Sequence, residues 1–227
     1  MLLGAAFGAA AILVAVVIGA SLTLGGKNGP RASVTPDLTL PGAAVVDADY
    51  HGIPQRGLVL GTTTAPVTLV EYLDLQCPWC GRFERDAFPA IVSSFVRTGK
   101  VRVELRPLAF VGSDSVRGRD ALLGAAARDK AFQFGALLFA NQGTENTGWL
   151  SGEMVRAAAA SIPGLNAGKI ASWVPTNAVL ARIEQERARD GVTGVPTFIV
   201  RRSGAEAGGT MLVNPDPAAL QAALRTG

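Results

Sequence analysis

Val67-Thr-Leu-Val-Glu-Tyr-Leu-Asp-Leu-Gln-Cys-Pro-Trp-Cys80 decides how the rest of the chain is read. Val67 to Leu75 is an aliphatic, strand-like run, and the chain's only two cysteines, Cys77 and Cys80, follow at once. A helix starting at Cys77 puts Cys80 three residues on, on the same face of the first turn, where the two sulfurs can pair as a small disulfide. Cys77 then sits where unpaired backbone N–H groups and the positive end of the helix dipole favour thiolate over thiol. Pro78 suits the first turn, where its missing N–H is not needed. The pair therefore reads as a redox dithiol whose oxidised form is easily reduced by other thiols.

Three other readings fit less well. A zinc site needs a closed set of nitrogen and sulfur ligands, and besides the two cysteines the chain offers only His51, far away in sequence. A purely structural disulfide across so short a loop removes little freedom from the unfolded chain. Two inert buried thiols are opposed only by the setting of the motif. No metal and no organic cofactor is therefore expected.

Of the 227 residues, 48% are hydrophobic and 17% charged, the balance of a globular chain and not of a disordered one. The net charge is +3, and the arginines are scattered along predicted helices and strands, so no nucleic-acid footprint is expected.

Leu2 to Leu24 carries no charge and is about as long as a helix needs to cross a bilayer core. Residues 1–26 thus read as a transmembrane anchor, with a cleaved signal segment as the rival. Lys27 and Arg31 follow the run, and a positive-inside count on them would put the rest of the chain in the cytoplasm. That bias is small, and a disulfide-forming chemistry needs the outer side. Residues 27–56, punctuated by Pro30, Pro36, Pro41 and Pro54, read as a linker that carries His51 in solvent.

Further elements follow by pattern. Gly57 to Gly61 is a short strand, and Arg82 to Arg97 is a helix with Phe83, Ala87, Ile91 and Phe95 inward and a kink at Pro89. Lys100 to Leu108 alternates charged and aliphatic residues as a half-buried strand does. Strand, helix, strand implies a parallel pair. From about residue 113 to 190 the pattern is helical, with one long stretch over Ala121 to Ala140 and caps at Ser151 and Asn166. The last of these helices, Thr176 to Asp190, places Val179, Leu180 and Ile183 inward and stops at Gly191. Strands return at Pro196 to Arg201 and Thr210 to Val213, and a helix closes the chain from Pro217 to Arg225.

This order, with the motifs Leu69-Val-Glu-Tyr-Leu-Asp-Leu-Gln-Cys-Pro-Trp-Cys80 and Gly191-Val-Thr-Gly-Val-Pro-Thr-Phe198, resembles the DsbA-like branch of the thioredoxin superfamily, and especially its membrane-tethered bacterial members. The resemblance covers roughly residues 57–225 and implies an α/β, thioredoxin-like fold over 57–227, with a helical insertion at about 113–190. It implies a cis peptide between Val195 and Pro196, with Pro196 against the sulfurs and Val195 offering its backbone to an extended substrate. It also places a buried acid at Glu71, able to exchange a proton with Cys80, with Asp74 a weaker candidate. Trp79 departs from the Pro-His dipeptide of the best-known oxidases and reads as an apolar contact for substrates.

The function so implied is an extracytoplasmic, membrane-anchored, single-pass thiol:disulfide oxidoreductase, monomeric, that donates disulfides to reduced or unfolded secreted proteins. It would be reoxidised by a quinone-linked membrane partner of the DsbB or vitamin-K-epoxide-reductase type. The alternatives are a disulfide reductase of the cytochrome c maturation type and a substrate-binding module without turnover.

Overall fold

The computed structural model describes residues 39–202, 205 and 208–225. Among them β1 (Gln55–Arg56), β2 (Val59–Leu60), β3 (Val67–Leu73), β4 (Val101–Pro107), β5 (Thr197–Arg202) and β6 (Thr210–Val213) form one sheet in the order β1-β2-β4-β3-β5-β6. β3 and β4 are parallel, as the strand-helix-strand order predicts, and β5 runs antiparallel to β3 on its other side. β3 is buried along its whole length. Its alternate residues serve two cores. Val67, Leu69 and Leu73 join Val101, Val103, Leu105, Phe198 and Val200 in the larger one, while Val70, Tyr72 and Ile199 meet Leu123, Ile183 and Val192 in the smaller.

The cysteine segment forms α2 (Pro78–Asp86), and the kink expected at Pro89 is a break after it. Ala87 leaves helical geometry at φ −120°, α3 (Phe88–Ile91) restarts with Pro89 in its first turn, and the segment ends as a π-helical turn over Val92–Val96. Phe83, Ala87, Ile91 and Phe95 are all buried, so the inward face survives the break.

Between β4 and β5 lie α4 (Ser113–Ala126), α5 (Ala131–Ala140), α6 (Gly152–Ala160), α7 (Ala167–Ala171) and α8 (Asn177–Arg189). The single stretch expected over Ala121 to Ala140 is in fact two helices that turn at Asp129, whose φ is +56°. Apolar residues on both sides hid the charged break Arg128-Asp129-Lys130. The caps expected at Ser151 and Asn166 are present: their side chains accept from the backbone N–H groups of Met154 and Lys169. In α8 Ile183 is buried, but Val179 is 40% exposed, against its inward assignment. Gly191, at φ +68°, takes the left-handed position that ends this helix. The chain closes with α9 (Pro217–Arg225), which seats Leu220 and Leu224 in the larger core.

The linker reading over 27–56 is corrected in its second half. Residues Ala43–Tyr50 form α1, and Val46, Tyr50 and Ile53 are buried in the larger core. Leu40 N donates to Ser161 Oγ at 2.8 Å, and Arg97 donates to the carbonyls of His51 (2.9 Å) and Asp49 (2.8 Å). Val46 and Tyr50, four residues apart, make the buried edge of a short, Ala-rich helix whose Val45 is exposed, and the flanking Pro41-Gly42 and Gly52 to Pro54 disguised it. The run Leu2 to Leu24, with the anchor or signal expected there, lies outside the described residues. Among the described residues no helix is long and apolar enough to cross a membrane.

Candidate active site

β3 delivers the chain to the site, and Asp74 turns it. The buried Asp74 carboxylate accepts from Gln76 N (2.9 Å), Phe110 N (2.6 Å) and Val111 N (2.9 Å), while its backbone carbonyl accepts from Cys77 N at 3.0 Å. Three N–H donors tie this carboxylate to its own turn and to the loop after β4. Asp74 thus anchors the cysteine loop.

Cys77 is the N-cap of α2, with extended backbone (φ −66°, ψ 119°) and Pro78 in the first turn. Cys80 N lies 3.5 Å from Cys77 Sγ. Both cysteines are free thiols, Cys77 5% exposed and Cys80 fully buried. Their acidities diverge. The Cys80 thiol, hydrogen-bonded to the Cys77 sulfur, brings Cys77 down to about 7, helped by the backbone N–H groups of Cys80 and Trp79 and opposed by burial and the Asp74 charge. Burial first, and the Cys77 sulfur second, push Cys80 well above the usual thiol range.

The peptide between Val195 and Pro196 is cis, as the resemblance implied, and Cys77 Sγ donates to Val195 O at 3.6 Å. Pro196 O accepts from Asn214 N at 2.9 Å, which fixes this loop to the chain just after β6. The loop's other end is fixed at Asp190, the last residue before Gly191. Asp190 Oδ2 accepts from the Tyr72 hydroxyl at 2.7 Å and from Arg201 Nη2 at 2.5 Å. One carboxylate thereby joins β3, α8 and β5. Trp79 stands beside the sulfurs, 52% exposed, with the Arg82 guanidinium 5.0 Å from its ring centroid.

Glu71 is fully buried on a central strand, paired in register with Leu105 and Phe198, so it is no surface glutamate. Burial raises its pKa well above the carboxylate range, and the neighbouring Glu84 carboxyl, on α2, adds to the rise. Glu84 is also raised, to about 7, by burial, with the neighbouring Glu71 carboxyl acting in the opposite sense. Burial of two neighbouring carboxyls favours the protonated form, and Glu71 lies within electrostatic reach of Cys80. Tyr50 of α1 completes the cluster: burial, then Glu84 and Glu71, raise its phenol.

Sequence reasoning found Cys77, Cys80, Glu71, Trp79, Val195 and Pro196, and the structure brings all six to one end of β3 and β5. It missed Glu84 and Tyr50, and it missed the amides that hold the cysteine loop. Gln142 Nε2 donates to the carbonyls of Leu75 and Cys77, both at 3.0 Å. Gln76 donates to Ser115 Oγ (3.1 Å) and accepts from Asn146 N (2.9 Å). Glu84, seven residues after Cys77 on the face that carries Cys80, left a helical-spacing signal; the amides sit in loops and left none.

A dithiol at a helix start, faced by a cis-proline loop leading into the neighbouring antiparallel strand, is the redox site of a thioredoxin-like protein. A sequence model described as thioredoxin matches residues 55–209, and the chain belongs to that family. Among curated proteins, Disulfide bond formation protein D of Bacillus subtilis is 42% identical over 57 residues, 25% of this chain and 26% of that protein. The Na(+)/H(+) antiporter NhaA 3 of Salinispora tropica is 35% identical over 141 residues, 58% of this chain and 20% of the antiporter. The chain thus spans about a quarter or less of the length of these two relatives. Among solved structures, BdbD from Bacillus subtilis in its oxidised form superposes with a TM-score of 0.63 at 21% identity, covering 77% of this chain and 96% of that one. Chlamydia trachomatis DsbA gives 0.64 at 20%, covering 74% and 90%. At these identities the two structures share the fold.

Proposed function

We propose that this protein is an extracytoplasmic thiol:disulfide oxidoreductase that donates the Cys77–Cys80 disulfide to reduced secreted proteins. The observation that carries the reading is the divergence of the two sulfurs: an acidic Cys77 at the helix start and a buried, weakly acidic Cys80 behind it. A substrate thiolate attacks Cys77 Sγ, the S–S bond breaks, and its electron pair leaves on the Cys80 sulfur. The buried Glu71 carboxyl, within electrostatic reach of Cys80, supplies the proton to that sulfur. A second substrate thiolate then attacks the substrate sulfur of the mixed disulfide, and Cys77 departs as a thiolate, which its low pKa favours. The products are an oxidised substrate and a reduced dithiol. Val195 presents backbone to the bound peptide, and Trp79 presents an apolar face. The dithiol returns to the disulfide by passing two electrons to a quinone-linked membrane partner, and the apolar run Leu2 to Leu24 holds the domain at the membrane's outer side.

Replacing Cys80 by Ser tests this. The variant accumulates mixed disulfides with reduced substrate peptide, the Cys77→Ser variant accumulates none, and the oxidised wild-type chain oxidises the peptide stoichiometrically. Equal trapping by both variants contradicts the division of labour, and faster reduction of insulin than oxidation of peptide favours a reductase.

A further inference from the structure

Two cavities open beside each other between β4 and α8, on the sheet face of Val70 and Tyr72, away from Glu71 and the cysteine helix. They share Glu104, Arg106, Arg182 and Glu186, so they are two halves of one cleft. The first, of about 520 Å³, is apolar, walled by Leu58, Leu123, Trp173, Val179 and Ile183. That volume lies in the usual range of small-molecule sites, about 300–1,000 Å³. The second, of about 480 Å³, is lined by Arg102, Arg106, Arg182, Arg189 and Arg201.

The charges on the polar half do not balance. Glu104 is shared by Arg102 (3.3 Å) and Arg106 (2.9 Å), Glu186 by Arg106 and Arg182 (3.0 Å to the latter), and Asp190 by Arg189 (3.3 Å) and Arg201 (2.5 Å). Among the described residues, five guanidiniums answer to three carboxylates, which leaves an excess of two positive charges. Arg106 and Arg201, 8% and 5% exposed, are held against these carboxylates, while Arg182 and Arg189, whose side chains are 77% and 47% exposed, carry positive charge to the opening. Guanidinium forks suit carboxylate and phosphate heads. At the mouth of the apolar half Val174 is 82% exposed and Val179 40%, an apolar rim next to a cationic floor.

We propose that the cleft binds a single-chain amphiphilic anion, an alkyl carboxylate whose chain lies along Trp173 and Val179 and whose head meets Arg182 and Arg189. The alkyl body accounts for the apolar half, which a small inorganic anion would leave empty. The negative head accounts for the arginine excess, which a neutral apolar molecule would leave unanswered. Binding here needs neither cysteine and is independent of the redox reading.

The full chain in lipid nanodiscs is titrated in turn with octanoate, octanol and inorganic phosphate, and backbone amide exchange over residues 173–186 is followed. Octanoate is expected to slow exchange there saturably. Arg182→Gln and Val179→Asp, both at exposed positions compatible with folding, should each raise the midpoint about fivefold, the effect of losing one surface-grade contact. Absence of protection by octanoate overturns the proposal, as does protection that both variants leave unchanged. Octanol acting at the same midpoint removes the role of the arginines, and phosphate alone giving the same protection removes that of the apolar half; either result also overturns it.

Discussion

Gln142, in the turn after α5, donates a 3.0 Å hydrogen bond to the carbonyl oxygen of Cys77. Together with its bond to Leu75 O, this makes a side chain of the helical insertion the clamp on the loop that presents the reactive sulfur. Gln142→Ala leaves two part-buried carbonyls without that donor, at about 1–2 kcal/mol of stability. Amide exchange over residues 75–80 should quicken in the variant while the far end of β3 stays protected. Unchanged exchange at the cysteine loop would refute the clamp.

The acidity of Cys77 rests first on the thiol of Cys80. In the reduced protein, alkylation of Cys77 should therefore rise with pH through a midpoint near 7. In Cys80→Ala the midpoint should move up towards the ordinary thiol value, about 8.5. The lowered pKa also adds stability to the reduced form, in full above the unfolded thiol's pKa and lost as pH falls through about 7. Peptide mapping of alkylated protein between pH 5 and 10, alongside urea unfolding, reads both effects, and one midpoint shared by wild type and variant would count against them.

Glu71 titrates in the opposite sense. Its folded pKa is raised by burial, so the folded chain holds a proton that the unfolded chain releases near about 4.3. Its contribution favours folding below that value and is lost as pH rises through the folded pKa. Glu71→Gln keeps the shape, and its amide can donate to Glu84. The variant should gain about 1–2 kcal/mol at pH 8 relative to wild type and close to nothing at pH 4. A gain of the same size at both pH values would separate the effect from titration.

Tyr50 distinguishes a docked N-terminal helix from a tether. Tyr50→Ala empties a buried site next to Phe132, whose ring centroid lies 6.3 Å away, and should destabilise the domain by about 3 kcal/mol. A free linker would predict no change in thermal unfolding.

What the sequence revealed and what it concealed divide along physical lines. The strand into Cys77, Pro78 in the first turn and the caps at Ser151 and Asn166 are local, each written within a few adjacent residues. The role of Asp190 is not local: its partners Tyr72 and Arg201 are 118 and 11 residues away. Glu84 went unremarked, because nothing within α2 shows that β3 places Glu71 near it. α1 was lost for a different reason. Its burial comes from the larger core, which no property of eight residues announces.

Asp190 is also where the geometry of the reaction is stored. Tyr72 lies on the strand that leads to Cys77, and Arg201 on the strand that leaves Pro196, so one carboxylate away from the sulfurs gauges the gap between the two halves of the site. Asp190→Asn would alter none of the residues around the sulfurs and still loosen the site, since the distance between Cys77 and the Val195–Pro196 loop would no longer be held from behind.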